Sequence, residues 1–423
     1  MVKLFLSLDA FLLLLIVPFH VALHQEGTYL MVVWGTYVLV VVTLGYLCLE
    51  VVYPLASISS WADLSRLGRI TFLLRQTMLW LLVLVAGVLP AVQNIIFRRQ
   101  PNANFNEVYL QLHDGAYQTE LALALLQQGR NPYSASYATT PLAAYQLPET
   151  EGNPAVDHYI YLPGLLWLSW PLKSLSQALW GWFDQRLVYI LFYLLTLLLL
   201  PLLFRSPQLK LAAFVAIGLN PLLTAEIHTG MNDVTVLFFL VVAILFLERQ
   251  RWLAAAIMVG LACSCKQSGW LAIPFYVMIG SGRKHFWQNL LLIGLVMAIF
   301  IGPLALWDFP AFWDDTFAYA SGTAVGLNYP IRGYSFGRLL VGFGIIPTVD
   351  SHFPFWLLQL LGGGLALAWL LPRIGRATHF WLYSALFIFI LGFFSRFFNH
   401  TYFGFVTLLA TTGWLMAADE QSP

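Results

Sequence analysis

Long apolar runs broken by short polar stretches dominate the chain, and crossing a bilayer takes about 20 apolar residues in succession. Runs near that length fall at 4–23, 29–49, 72–96, 187–204, 210–226, 231–247, 286–306, 353–372, 378–394 and 401–417. The stretch 252–281 is too long for one simple span and carries Lys266 near its middle, so it divides into 252–265 and 269–281. Segment 159–180 is hydrophobic enough to cross, but a full crossing would invert every later loop; kinked at Pro163 and Pro171, it reads equally as re-entrant. Mixed residues over 51–71 read as an interfacial helix. The pattern predicts an all-α polytopic transmembrane bundle of about 11–13 crossing elements, with short amphipathic interfacial helices in an outer loop.

Composition narrows this further. Only 10% of the residues are charged, against about 25% in ordinary soluble proteins, which places the chain in the membrane class. A net charge of +1 with Lys and Arg scattered singly excludes nucleic acid as a partner, since that takes a basic stripe. The 16 Trp suit interfacial anchoring and sugar stacking alike. Cys48, Cys263 and Cys265 lie inside apolar runs with no His or Cys at ligand spacing, so neither a metal nor a redox role is expected. The run 4–23 lacks a small-residue cleavage site and reads as a retained span. The chain thus divides into 1–71 (a hairpin plus interfacial segment), 72–417 and a short tail 418–423.

Short loops rich in Lys and Arg favour the cytoplasm. Arg66, Arg69 and Arg75, then Arg205 and Lys210, Arg249 and Arg251, Arg283 and Lys284, and Arg373 and Arg376 mark that side. The opposite side receives the loop 97–158, the turn 226–232, Lys266, the loop 307–352 and the turn 395–400. Polar clusters then gather on one face.

Within the outer loop, the stretch 105–133 reads as a short helix, with Asp114 as N-cap before Gly115 and with Gly129 and Asn131-Pro132 as the stop. His113, Asp114, Glu107 and Glu120 put carboxylates beside the membrane, where one can accept a proton from a hydroxyl or position a cation. Capping alone also explains Asp114. Arg130 at the helix end can face an anion. In AEIHTGMND, Glu226, His228, Asn232 and Asp233 stand beside apolar spans, where polar side chains point to a water-filled cavity; Asn232 or Asp233 also reads as a cap. Helical rise returns Lys266 and Gln267 to a depth near His228, although a lysine there also snorkels readily. Arg332 in LNYPIRGY, and Arg396 and His400 in SRFFNHTY, sit on the face basic residues usually avoid. A lipid phosphate would account for them.

The order Asp114-x-x-Tyr117, Gly129-x-Asn131-Pro132-Tyr133, then Tyr161-x-Pro163 resembles the multi-spanning glycosyltransferases of the C superfamily (GT-C). It is most similar to the polyprenyl-phosphate-mannose-dependent mannosyltransferases. His228 to Asn232, followed by a hairpin and Lys266-Gln267, is also similar to a pattern of the dolichyl-phosphate-glucose-dependent glucosyltransferases. The likeness covers roughly 72–417. Tyr161-Leu162-Pro163-Gly164 departs from it, since relatives often carry two adjacent prolines, and there is no clear Asp-x-Asp for a metal.

The resemblance implies inverting transfer of one sugar from a polyprenyl-phosphate donor to a glycan, lipid or protein acceptor. It takes place at the outer face of a prokaryotic inner membrane, with no cofactor expected. Asp114 would be the base. His228, Asn232, Lys266, Arg332, Arg396 and His400 would face the donor phosphate or sugar, and Glu107, Tyr117, Arg130 and Tyr133 the acceptor or loop. The alternative is a transporter or lipid flippase using the same polar groups as a path; it calls for inverted repeats, which the sequence does not display.

Overall fold

The computed structural model describes residues 6–24, 29–54, 61–100, 111–145, 152–279 and 283–421. Helices account for nearly all of the regular structure, and the one strand pairing among the described residues is parallel, Arg332–Gly333 against Phe397–Phe398. The expected all-α polytopic bundle is what the chain forms. Two compact units divide it, the first from 1–111, 190–229 and 411–423, the second from 112–189 and 230–410.

In the first unit, Leu8–His24 and Tyr29–Val52 pack as a hairpin, and Tyr29–Val52 also packs on Arg66–Val83. The last of these continues through a π-helical turn, Leu84–Val88, into Leu89–Arg98. Arg75 ties the three helices together. Its Nη1 lies 2.7 Å from Glu50 Oε2 and 3.8 Å from Asp9 Oδ2, and Nη2 donates to the Tyr53 carbonyl at 2.8 Å. Tyr46 closes the group, its ring 5.3 Å from the guanidinium and its hydroxyl on the Asp9 carboxylate. Arg75, counted in the sequence among the basic residues of the cytoplasmic side, is wholly buried, and two acids from neighbouring helices offset its desolvation.

Of the interfacial helix expected over 51–71, residues 55–60 lie outside the described residues; the described ones form the end of Tyr29–Val52, a 3-10 turn, Trp61–Asp63, and the start of the helix at Arg66, which Ser65 caps by accepting from Gly68 N–H at 3.1 Å. The run 210–226 is not one straight span. It splits into Pro207–Gly218 and Pro221–Thr229, bent by 48°, where Pro221 removes a ladder donor and Asn220 Oδ1 accepts from Leu222 N–H instead.

In the second unit, Asp233–Glu248 and Trp252–Cys265 form an antiparallel hairpin, and Trp252–Cys265 also packs on Phe286–Trp307. Gly260 permits that approach, since a Cβ there would stand 2.7 Å from Val296 Cβ. The expected span 269–281 is replaced by a 3-10 turn, Gln267–Ala272, and a short helix, Ile273–Val277. Gly269 folds this turn back onto the Ala262 backbone, 2.9 Å from where its Cβ would be, which ends the helical run.

Among the described residues, six helices are long and apolar enough to cross a membrane, or seven if the bent pair is one span. Shorter apolar helices, Leu8–Ala22, Trp252–Cys265 and Ala377–Phe393, accompany them, and caps and turns cut other apolar runs short, as at the 16-residue Asp233–Glu248.

Candidate active site

The helix Asp114–Gln127 begins one residue earlier than the sequence suggested. His113, not Asp114, occupies the N-cap, and Gly115 N–H is shared between His113 Nδ1 at 3.1 Å and Asp114 Oδ1 at 2.7 Å. Asp114 is thus the first helical residue, where the backbone's positive end favours a carboxylate, and its side chain stays 27% exposed. Gly129 ends the helix with φ +71, the left-handed conformation glycine adopts freely.

Two neighbours hold the loop after this helix. Gln118 Nε2 donates to the carbonyls of Ala155 and His158 at 2.7 and 2.8 Å, and Tyr133 Oη donates to the Tyr161 carbonyl at 2.7 Å. Gln267 Nε2 collects the carbonyls of Ile160 and Thr316. Tyr161 is thereby set against Gly115, immediately beside Asp114. Burial, and then the Asp114 charge, keep the Tyr161 hydroxyl well above its ordinary pKa, so it remains a donor.

The late segments converge on the same place. Tyr319 and Tyr329 both feel the charges of Asp114 and Arg332; burial first, against the Arg332 charge, leaves Tyr329 pushed up to about 12. Asn399 Nδ2 donates to Tyr329 Oη at 3.1 Å. His400 is exposed and within electrostatic range of His113 and Arg332. Gly333, at φ +72, allows the Arg332 strand to lie on Phe397–Phe398, since a Cβ there would overlap the Phe398 carbonyl.

The same unit holds a cavity of about 600 Å³. Phe317, Phe353, Phe355 and Trp356 supply apolar wall, while Lys266, Gln267, Arg396 and Tyr402 supply polar groups. Lys266 Nζ is 2.7 Å from Asp233 Oδ2 and 5.0 Å from the Tyr402 ring centroid. Tyr402 in turn lies within electrostatic range of Tyr161. Asp114, Tyr161, Tyr402 and Lys266 form one series of neighbours in the second unit.

Other residues singled out in the sequence are used differently. Arg396 donates through Nε to the Tyr329 carbonyl, through Nη1 to Ser351 at 2.9 Å and through Nη2 to Val349 at 3.2 Å. Most of its fork thus pins the loop before it. Tyr133 is buried under Tyr159 and Phe312. Tyr117 stacks with Tyr145, Arg130 is exposed, and Glu120 accepts from Gln185 N–H at 2.8 Å. Asn232 takes the N-cap position of Asp233–Glu248 without a side-chain cap bond. His228 belongs to the first unit, its Nε2 2.9 Å from the Ala86 carbonyl in the π-helical turn. Glu107 lies outside the described residues.

Nothing in the local sequence marks Asp233 as an ion-pair partner or singles out His158. His158 Nδ1 is 3.1 Å from Asp315 Oδ1 and 3.6 Å from Asp314 Oδ2, and Nε2 is 3.1 Å from the Leu327 carbonyl. Asp315 Oδ2 accepts from Tyr159 N–H at 2.8 Å. Donor atoms of the three lie within 4.8 Å of one another, a spacing compatible with a cation, but every one has a protein partner that accounts for it as a clamp.

The site of this multi-pass helical protein thus brings together an acid at a helix start, an aromatic cluster around it and a cation at an apolar cavity. Residues 118–282 match the model of the family described as alpha-(1->6)-mannopyranosyltransferase, N-terminal domain, a GT-C type mannosyltransferase family, in agreement with the resemblance noted in the motifs. No curated protein and no solved structure matches the chain.

Proposed function

We propose that the protein transfers a mannose-like hexose from a polyprenyl-phosphate donor to a glycan, lipid or protein acceptor, at the outer face of the membrane and with inversion. The observation that carries this is the series from Asp114 through Tyr161 and Tyr402 to Lys266, ending at an apolar cavity. The name of the matching family favours an α-(1→6)-linked mannose product.

In this reading the prenyl chain occupies the apolar wall and its phosphate faces Lys266. The acceptor hydroxyl attacks the anomeric carbon opposite the phosphate, and Asp114 takes its proton as the carbon–oxygen bond to phosphate breaks. The departing phosphate monoester gains negative charge, which the Lys266 ammonium offsets. Exposure of Asp114 leaves room for the acceptor, and the protonated Tyr161 beside it can orient that hydroxyl.

The test uses the purified full chain in lipid, a labelled polyprenyl-phosphate mannose and a manno-oligosaccharide acceptor. Transfer from the lipid donor but not from a nucleotide-activated mannose is expected, falling at least about 100-fold in Asp114→Asn. Full activity of Asp114→Asn removes the base, and donor-independent solute flux with no transfer replaces the enzyme by a transporter.

A further inference from the structure

The Asp233–Lys266 pair joins the first residue of one helix to the residue that ends the next, across the hairpin of Asp233–Glu248 and Trp252–Cys265. Lys266 is extended there (φ −156, ψ 144), and its ammonium is one of the cavity's polar groups although only 8% of the residue is exposed. Asp233 is deeper, 1% exposed. Among the described residues its Oδ1 has no hydrogen-bond partner, so Lys266 takes the one side-chain ion pair that this carboxylate makes.

We propose that Asp233 is a positioning residue for the phosphate of the lipid-linked donor: it holds the Lys266 ammonium, charged, at the polar end of the apolar cavity. The inference rests on the transferase reading above and adds a residue to it. A carboxylate at a helix start gains from the helix's own positive end, so Asp233 has a support besides Lys266. Lys266 has no such support. Its ammonium also faces the Tyr402 ring, and without the carboxylate nothing among the described residues keeps so flexible a side chain from swinging towards water. That movement takes the cation away from the place where a phosphate would meet it.

Two effects of opposite sign follow from neutralising Asp233. Removing a negative charge favours an incoming phosphate, whereas losing the fixed ammonium disfavours it. With Nζ and Oδ2 at 2.7 Å and both groups buried, the ammonium's dependence on its partner is the larger effect. The expected result is therefore weaker phosphate binding, not stronger.

The experiment measures binding of a short polyprenyl monophosphate and of the matching polyprenol to the full chain in nanodiscs, alongside thermal unfolding and donor KM. Wild type should prefer the monophosphate by about tenfold or more, the worth of one charge-assisted hydrogen bond. Asp233→Asn should lose most of that preference while keeping its affinity for the alcohol, with donor KM rising more than kcat falls. Asp233→Glu should restore part of it, and Asp233→Asn should add nothing in a Lys266→Gln background. Unchanged or increased preference in Asp233→Asn overturns the proposal and leaves the transferase reading standing. Equal loss of both ligands in Asp233→Asn and Asp233→Glu, with lowered unfolding temperature, makes the pair structural only and also overturns it. A wild type without preference and without transfer sinks both.

Discussion

The Tyr161 hydroxyl rests on the backbone of Gly115, so closely that a Cβ at Gly115 would overlap it and stand 2.6 Å from Cε2. In an ordinary exposed helix, Gly→Ala gains about 1 kcal/mol from propensity. Here the added methyl must displace the half-buried Tyr161 ring or move the turn that carries Asp114. Gly115→Ala is expected to abolish transfer and lower the unfolding temperature, and Gly115→Ala/Tyr161→Phe to recover only part, because the ring carbons clash as well. Activity and thermal unfolding in detergent check this; a Gly115→Ala protein with wild-type transfer would show that the contact does not set the acid's position.

What the sequence disclosed of this site follows from how local each signal is. The Gly129 stop and the 252–265 helix depend on neighbours a few residues away, and both appear in the structure at those positions. The His113 cap escaped notice because Ser, Thr, Asp and Asn are the usual N-caps. Asp233 was read as a cap and Lys266 as a snorkelling or phosphate-facing lysine, since nothing in a spacing of 33 residues shows that the two side chains meet. The same holds for Arg75, whose acidic partners lie on two other helices.

Arg396 draws together the carbonyls of Tyr329, Val349 and Ser351, which bracket the segment carrying Arg332. A lysine offers one point charge in place of a planar fork. Arg396→Lys should therefore loosen 329–351 and Arg396→Ala should do so more strongly, each leaving half-buried carbonyls without their charged donor, at a cost of about 1 kcal/mol apiece. Hydrogen exchange over 325–351 is the direct readout. Protection unchanged in Arg396→Ala would assign the arginine to ligand rather than loop.

The clamp between His158 and Asp315 has a definite pH sign. Burial pushes the Asp315 carboxyl up to about 6, against the hydrogen bonds from His158 and Tyr159 N–H, so between about 4 and 6 the folded protein binds more protons than the unfolded chain. Stability from this group falls as pH rises through that window. Burial opposes a charge on His158, but its hydrogen bond to Asp315 and the charges of Asp315 and Asp314 outweigh it and raise its pKa. That contribution is complete below about 6.5, the unfolded value, and is lost as pH climbs through the folded one. Both act in one direction. After correction for intrinsic exchange rates, the Tyr159 amide should open more readily at pH 8 than at pH 5, and Asp315→Asn should flatten the dependence. Protection that grows with pH in the wild type would refute the assignment.

The buried group Asp9, Glu50 and Arg75 gives the last expectation, and it separates two roles for the first two helices. Removing the guanidinium leaves two carboxyl groups in a site with no other cation among the described residues, and breaking one side of a buried pair costs about 3–5 kcal/mol. Replacing both sides by groups of similar shape costs far less, because desolvation is removed together with attraction. Arg75→Met alone should lower the unfolding temperature strongly, whereas Arg75→Met/Glu50→Gln/Asp9→Asn should recover much of it. If these helices only brace the fold, the triple variant transfers sugar at near the wild-type rate once stable. Should stability return without activity, the charges at Asp9, Glu50 and Arg75 serve turnover itself, and the first unit is more than a brace.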